Sequence, residues 1–335
     1  MNRGAALVGA LLVTLAIPAT WPLALAAFLL RGGILLVTIP IVVLPTPVGL
    51  GNVLAPAITP IALGSIPIAV VAASVVAVAG VLLWLLLGGW LAAALEAEGA
   101  RIVARDEEVT AIAAVGDRPA VGVAGDGTAR VAFRIMAARV IAYAPLAVAL
   151  GWASIRFVWT AYVELTNPSE TGTSIVLRVV RASPEVLVLL VLAWMVGEIV
   201  GAIAARRIIL EGDGIVASLR VAGVTFVRHP LAALARFWVP TLALIVILAP
   251  SALAAASAWN AVGAVLTEGS DAWQVLAAVV LFVVLWVVGL LLAAVLCAWR
   301  AAVWTVAGLL ARGTFGGSSH RRPGDWRPDA SSANV

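Results

Sequence analysis

Two charged residues stand alone inside long apolar runs, and any chemistry this chain performs within a membrane would start from them. Arg31 occupies the middle of "AAFLLRGGILLVTIP" (26–40), and Glu198 lies in "GEIVG" (197–201) within another such run. A guanidinium held at the centre of a bilayer is disfavoured by about 2.5–3.5 kcal/mol or more, so Arg31 needs water or a partner. At about 1.5 Å per residue, the two residues fall about 15 Å and 12 Å from the same side of the membrane, on different helices. That makes them a natural ion pair. Gly197 and Gly201 form a GxxxG pattern that lets helix backbones approach, and Gly32 and Gly33 leave room beside Arg31. An Arg31–Glu198 contact is either a structural clasp that fixes helix order or the lining of a site for a substrate, a proton or an ion. A third reading has the span displaced and Arg31 snorkelling to an interface. A third charged residue, Arg156, falls near the outer end of its run between Trp152 and Trp159, with Tyr162 and Glu164 just beyond. Snorkelling to the outer interface accounts for it.

Other chemistries lack their residues. All 21 basic residues are arginine, so there is no P-loop lysine, Schiff-base lysine or Ser–Lys dyad. The two histidines, His229 and His320, belong to no HExxH or other metal-ligand spacing, and one cysteine, Cys297, cannot form an intrachain disulfide. No GxSxG elbow is present. "GVAGDG" (122–127) lacks the strand–helix context of a dinucleotide site and reads as a turn. The outer Glu164, Asn167 and Glu170 have no histidine beside them. No catalytic residue, cofactor or metal is therefore expected.

The elements that must position Arg31 and Glu198 follow from composition. Of 335 residues, 63% are hydrophobic and 11% charged. A soluble domain carries about 25% charged residues, and this surplus of apolar side chains cannot be hidden in a globule. The fold class expected is all-α, a polytopic helical membrane protein with about six transmembrane helices plus interfacial helices. The spans are Pro22–Leu44, Ile66–Leu95, Val140–Val163, Pro184–Ala205, Phe237–Ala258 and Val275–Trp299. Seventeen of the 21 arginines fall on the side that carries the termini, which by the positive-inside rule puts both termini in the cytoplasm. The same distribution explains the high pI, so nucleic acid is not an expected partner; the lipid bilayer is, with another membrane protein as a further candidate.

The first twenty residues have the outline of a signal peptide, but "WPLALAAFLLRGG" continues without turning polar, so a retained segment is expected. Residues 4–17 then form an interfacial helix or an extra span. The uncharged 46–65 segment, broken by Pro47, Pro56 and Pro60, lies in the interface or dips back into protein. The membrane domain covers residues 1–311. Its 96–139 loop opens as a helix, and turn signals at Gly116-Asp117 and Asp126-Gly127 suggest a small hairpin. The Gly/Ser/Pro-rich 312–335 reads as a disordered tail.

The stretch "SLRVAGVTFVRHP" (218–230), followed at once by an apolar span, resembles a segment of poorly characterised bacterial multi-pass proteins. These include proteins similar to the membrane domain fused to some glycerophosphodiester phosphodiesterases. The likeness covers about 45 residues around 210–255, and the chain has no room for the phosphodiesterase domain, so no catalytic residue carries over. It implies an all-helical fold with helices on the cytoplasmic face of a bacterial inner membrane, and no activity. The function expected is non-enzymatic, as a structural, assembly or accessory subunit of a membrane complex. The alternative is a transporter or channel-like protein with a polar site at Arg31 and Glu198, of unknown substrate.

Overall fold

The computed structural model describes residues 3–38, 60, 63–115, 127–167, 169, 175–267 and 271–315. Among these residues all regular structure is helical. The elements are α1 (Arg3–Ala16), α2 (Thr20–Phe28), a π-helical turn (Leu29–Gly33), α3 (Ile34–Thr38), α4 (Ile68–Val115), α5 (Thr128–Ala142), α6 (Ala144–Thr166), α7 (Ile175–Arg181), α8 (Pro184–Glu211), α9 (Ile215–Arg228), α10 (Pro230–Thr267) and α11 (Ala272–Phe315). Six segments are long and apolar enough to cross a membrane: Thr20–Thr38, Ile68–Asp106, Ala144–Glu164, Pro184–Glu211, Pro230–Thr267 and Ala272–Leu310. This is the architecture of a multi-pass membrane protein.

At 14 residues, α1 is about 21 Å long, short of the roughly 30 Å hydrocarbon core. Proline ends it. Pro18 has no N–H to give to the carbonyl of Thr14 four residues earlier, and the indole N–H of Trp21 donates to that carbonyl instead, at 2.8 Å. Beyond the break, α1 lies along the last helix, with Ala10 and Val13 packed on Ala302, Val303 and Val306. The N-terminal helix and the C-terminal part of α11 therefore share one end of the bundle. The interfacial expectation for residues 4–17 fits this short helix better than an extra span.

Packing is dense at that end and sparse at the other. Ala93, Ala97, Ala100 and Ala104 make a small-residue stripe on α4, fully buried against Val131, Ala132, Ile135 and Ala138 of α5 and Ala204, Ala205 and Ile208 of α8. Small side chains allow this close approach of backbones, which in a bilayer must be held by dispersion contacts rather than by a hydrophobic force between helices. Away from that end, α10 and α11 pair through Ala255, Ala258, Val262 and Phe282, with Trp259, Phe282 and Trp286 in sequence, and the indole N–H of Trp286 reaches the Val37 carbonyl of α3 at 3.4 Å. Gly289 admits Ser251, whose Cβ lies 3.3 Å from where a side chain would begin.

Residues 218–230 fall on α9 and the start of α10. Ser218 and Ala222 of α9 are buried, while Val216 and Val227 are exposed, the division expected of a helix lying in an interface. His229 leaves the helical region (φ −131°, ψ 53°) because Pro230 disfavours helical geometry in the residue before it.

The 96–139 region departs from expectation in its flanks. Residues 96–115 continue α4 and residues 128–139 belong to α5. The expected β-prone runs beside the turn signals are thus helical where described, and in the second flank Val131, Ala132 and Ile135 are buried between helices. The hairpin turn itself (116–126), residues 46–59 of the proline-broken segment and the 316–335 part of the tail lie outside the described residues.

A charged cavity as the candidate functional site

The second helix is broken where Arg31 sits. Within the π-helical turn, Arg31 (φ −85°, ψ 16°) and Gly32 (φ +100°, ψ −3°) leave helical geometry. A positive φ of this size suits glycine alone, since any side chain there would be strained. Gly33 serves a different need: a Cβ at that position would collide with the ring of Phe28. The glycines of "RGG" therefore make a backbone break and admit an aromatic ring, rather than clearing space for a neighbouring helix.

The expected Arg31–Glu198 ion pair is not formed. Arg31 donates through Nη2 to Glu96. Glu96, at the boundary of the expected second span, is the hub of the cluster: its Oε1 accepts from Arg139 Nη2 and Arg206 Nη1, both at 2.7 Å, and its Oε2 accepts from Arg139 Nη2 at 2.9 Å and Nε at 3.2 Å. Three guanidinium groups, from the π-helical turn, α5 and α8, thus converge on one buried carboxylate. Glu198 forms a second node. Its Oε1 accepts from Arg300 Nη2 at 2.8 Å, its Oε2 accepts from the Tyr143 hydroxyl, and Arg139 Nη1 stands 3.6 Å away. Arg139 bridges the nodes. Three positive partners suit Glu96, and Glu198 needs a nearer cation than Arg31, which α11 supplies.

Local sequence explains the aim of each group. Pro145 has no N–H for the carbonyl of Ile141, and α5 stops at Tyr143 (φ −87°, ψ 2°), directing the phenol towards α8. Gly197 lets α8 approach: a Cβ there would lie 2.7 Å from Tyr143 Cδ1 and 3.1 Å from the Ala142 carbonyl oxygen. Gly201 rests over Arg139, whose Cγ would lie 3.4 Å from an added Cβ. The GxxxG pair therefore opens α8 to the α5–α6 corner. Burial first, and then the Glu198 carboxylate, push the Tyr143 phenol pKa above its ordinary value, so this residue stays a neutral hydrogen-bond donor. Burial opposes the Arg139 charge, but Glu96 and Glu198 more than offset it and raise its pKa.

Beside these nodes is a cavity of about 350 Å³. Its charged walls are Arg31, Arg139, Arg206, Arg300, Glu96 and Glu198, and Tyr143, Trp194, Trp304 and Cys297 also line it. Arg31 and Glu198 thus share a cavity without touching. Glu96 and Arg300 each lie 28 residues from the far end of their helices, Ile68 and Ala272, or about 42 Å of rise. The cluster is therefore nearer the end of the bundle where α1 meets α11, and Arg31 is not at the middle as expected. Among the described residues, no group of three or more His, Cys, Asp or Glu is placed to hold a metal ion.

The outer charges stand apart from this cavity. Arg156 Nε lies 3.2 Å from Glu185 Oε1, and both side chains are more than two-fifths exposed. Glu164 is buried, accepts from the Ser169 backbone N–H at 3.1 Å and faces Arg178 at 3.7 Å. These pairs tie α6 to α8 and α7 at the end of the bundle away from the cavity.

Sequence reading missed Glu96, Arg139, Arg206 and Arg300 because each falls at a span boundary, where charge is ordinary. A signal was present for Glu96: it is four residues from both Ala92 and Ala100, on the face of the small-residue stripe that is buried. No protein-family model matches the chain, and neither does any curated protein or solved structure, so what this cavity does must be read from its own geometry.

Proposed function

We propose that this chain is a transporter- or channel-like protein of a bacterial inner membrane, with both termini in the cytoplasm, that admits a polar solute to the cavity at the break in its first span. The observation that carries this reading is the cavity itself. A clasp needs only matched charges in a close-packed interior, whereas here about 350 Å³ lies open beside six charged side chains. Broken helices are tolerated in a membrane where the irregular backbone borders protein or water, and they commonly line solute sites. The arginine distribution supports the orientation, and the α9–Pro230 resemblance supports the bacterial membrane. No catalytic group faces the cavity in a pattern that would make or break a bond.

Gly99 lines the cavity and has open space around its Cβ position, which makes it a reporter. In a Cys297→Ser background, Gly99→Cys should react with a small membrane-impermeant thiol reagent added from the terminal side of native vesicles. A thiol there that stays unreactive from both sides would mean a dry interior and sink the solute-site reading.

One observation favours an accessory subunit as the second reading. The apolar side chains from Ile68 to Leu87 of α4 include none that is buried, over about 30 Å of helix. Lipid covers such a face, and so would another membrane protein. Purification in mild detergent distinguishes them: a stoichiometric partner that protects this face supports the accessory role, and a lone chain excludes it.

A further inference from the structure

The cavity walls carry an unbalanced charge. Four guanidinium groups face two carboxylates and a neutral phenol, leaving two positive charges without a counter-ion among the lining residues. The excess is also unevenly shared. Arg139 and Arg206 are spent on Glu96, whereas Arg31 and Arg300 each give a single nitrogen, Nη2, to a carboxylate. Their side chains remain 31% and 20% exposed, the most accessible of the four, and both border the cavity. The deeply buried Arg139 Nη1 and Arg206 Nε have no hydrogen-bond acceptor. Buried donors without acceptors are rare and disfavoured, and an unbalanced charge in a low-dielectric site more so. The charge excess is met by one kind of ligand: an anion with several acceptor oxygens.

We propose that the cavity is a binding site for a phosphate-bearing anion, gripped by Arg31 and Arg300. This rests on the solute-site reading above and names its ligand class. A phosphate monoester carries close to two negative charges at neutral pH and offers three acceptor oxygens, which matches the two spare positive charges; a carboxylate would neutralise one. Guanidinium forks fit phosphate oxygens in pairs. The break in α2 has a role here, because it releases Arg31 from the helix surface at the cavity wall. The phosphate group can belong to a free solute or to a lipid headgroup, and the two sources share the same recognition.

The test uses the full chain in a phosphate-free maltoside detergent at constant ionic strength. Trp194 and Trp304 line the cavity, so intrinsic fluorescence reports its occupancy, alongside the thermal unfolding midpoint. Inorganic phosphate added against chloride should give a saturable fluorescence change and a raised midpoint. A second arm adds phosphatidic acid, compared with an uncharged diacylglycerol of the same chains. Response in the first arm identifies a free anion; response in the second alone identifies a lipid phosphate. Arg31→Gln and Arg300→Gln should each weaken the response by about tenfold or more, as loss of a charged hydrogen bond does. Arg156→Gln, in the outer pair, should leave it unchanged. Should a glutamine variant fail to fold, Arg31→Lys and Arg300→Lys keep the charge without the fork and should still bind more weakly than wild type. No saturable response to either phosphate source overturns the proposal, as does equal binding by the Arg31 and Arg300 variants. Reactivity of Gly99→Cys is independent of these results, so a water-filled cavity that ignores phosphate would reject this ligand and leave the solute-site reading standing.

Discussion

Glu96 is the residue on which the charged cluster depends most. It receives Arg31, Arg139 and Arg206 together, and all but about 5% of its side chain is out of solvent. Glu96→Gln leaves three guanidinium groups facing a neutral amide, and removal of one partner from a buried ion pair typically destabilises by about 3–5 kcal/mol. Glu198→Gln should do less harm, because Arg139 keeps Glu96, and Arg300 keeps solvent and the face of Phe237 at 5.7 Å. Thermal unfolding in detergent should rank wild type above Glu198→Gln and Glu198→Gln above Glu96→Gln; the reverse order would move the hub to Glu198. Neighbouring glycines separate in the same assay. Gly33→Ala meets the ring of Phe28, so Phe28→Leu should restore part of the loss. Gly32→Ala meets no atom within 4 Å but has φ +100°, a backbone penalty of about 1–2 kcal/mol that Phe28→Leu should not relieve.

Between helices, the structure depends on where prolines remove donors. Trp21 repairs the one left open at Pro18 by donating to the Thr14 carbonyl, and Thr14 is only 1% exposed. Trp21→Phe keeps the ring's bulk and orphans that carbonyl, which should lower stability by about 1–3 kcal/mol and loosen α1 from α11. Hydrogen exchange confined to α1 would locate the effect. The α8 approach is tested by contrast between two glycines. Gly197→Ala presses on Tyr143 and the Ala142 carbonyl and should destabilise by about 1–3 kcal/mol. Gly223→Ala on α9 meets nothing within 4 Å, so it should gain about 0.5–1 kcal/mol from helix propensity alone. Equal behaviour of the two would mean that Gly197 is not a contact point.

At the scale of the molecule, α1 packs on the C-terminal part of α11, so the first and last described helices meet at one end of the bundle. In the orientation proposed from the arginine bias that end is cytoplasmic, so peptide tags at the two termini should be digested together in inverted vesicles and together spared in intact spheroplasts. Digestion of one tag without the other would require an odd number of crossings. The spans were legible because hydropathy over about 20 residues is a local property; it found all six, although the helices run up to 11 residues past the expected ends, where charged turns extend them. Arg31 was recognisable as needing a partner for the same reason, since the disfavour of a charge in hydrocarbon depends on its own position. Its choice of Glu96 over Glu198 was not, because it depends on which helices become neighbours and how far each rises beside the next. Glu96, Arg139, Arg206 and Arg300 come from four stretches of chain, more than 200 residues apart at the extremes, each unremarkable at its span boundary. Local hydropathy thus determined that this chain crosses a membrane and contains a charge that must be answered. Only packing decided that four arginines answer two carboxylates around an open cavity, because charge balance in a low-dielectric interior is settled by proximity in space.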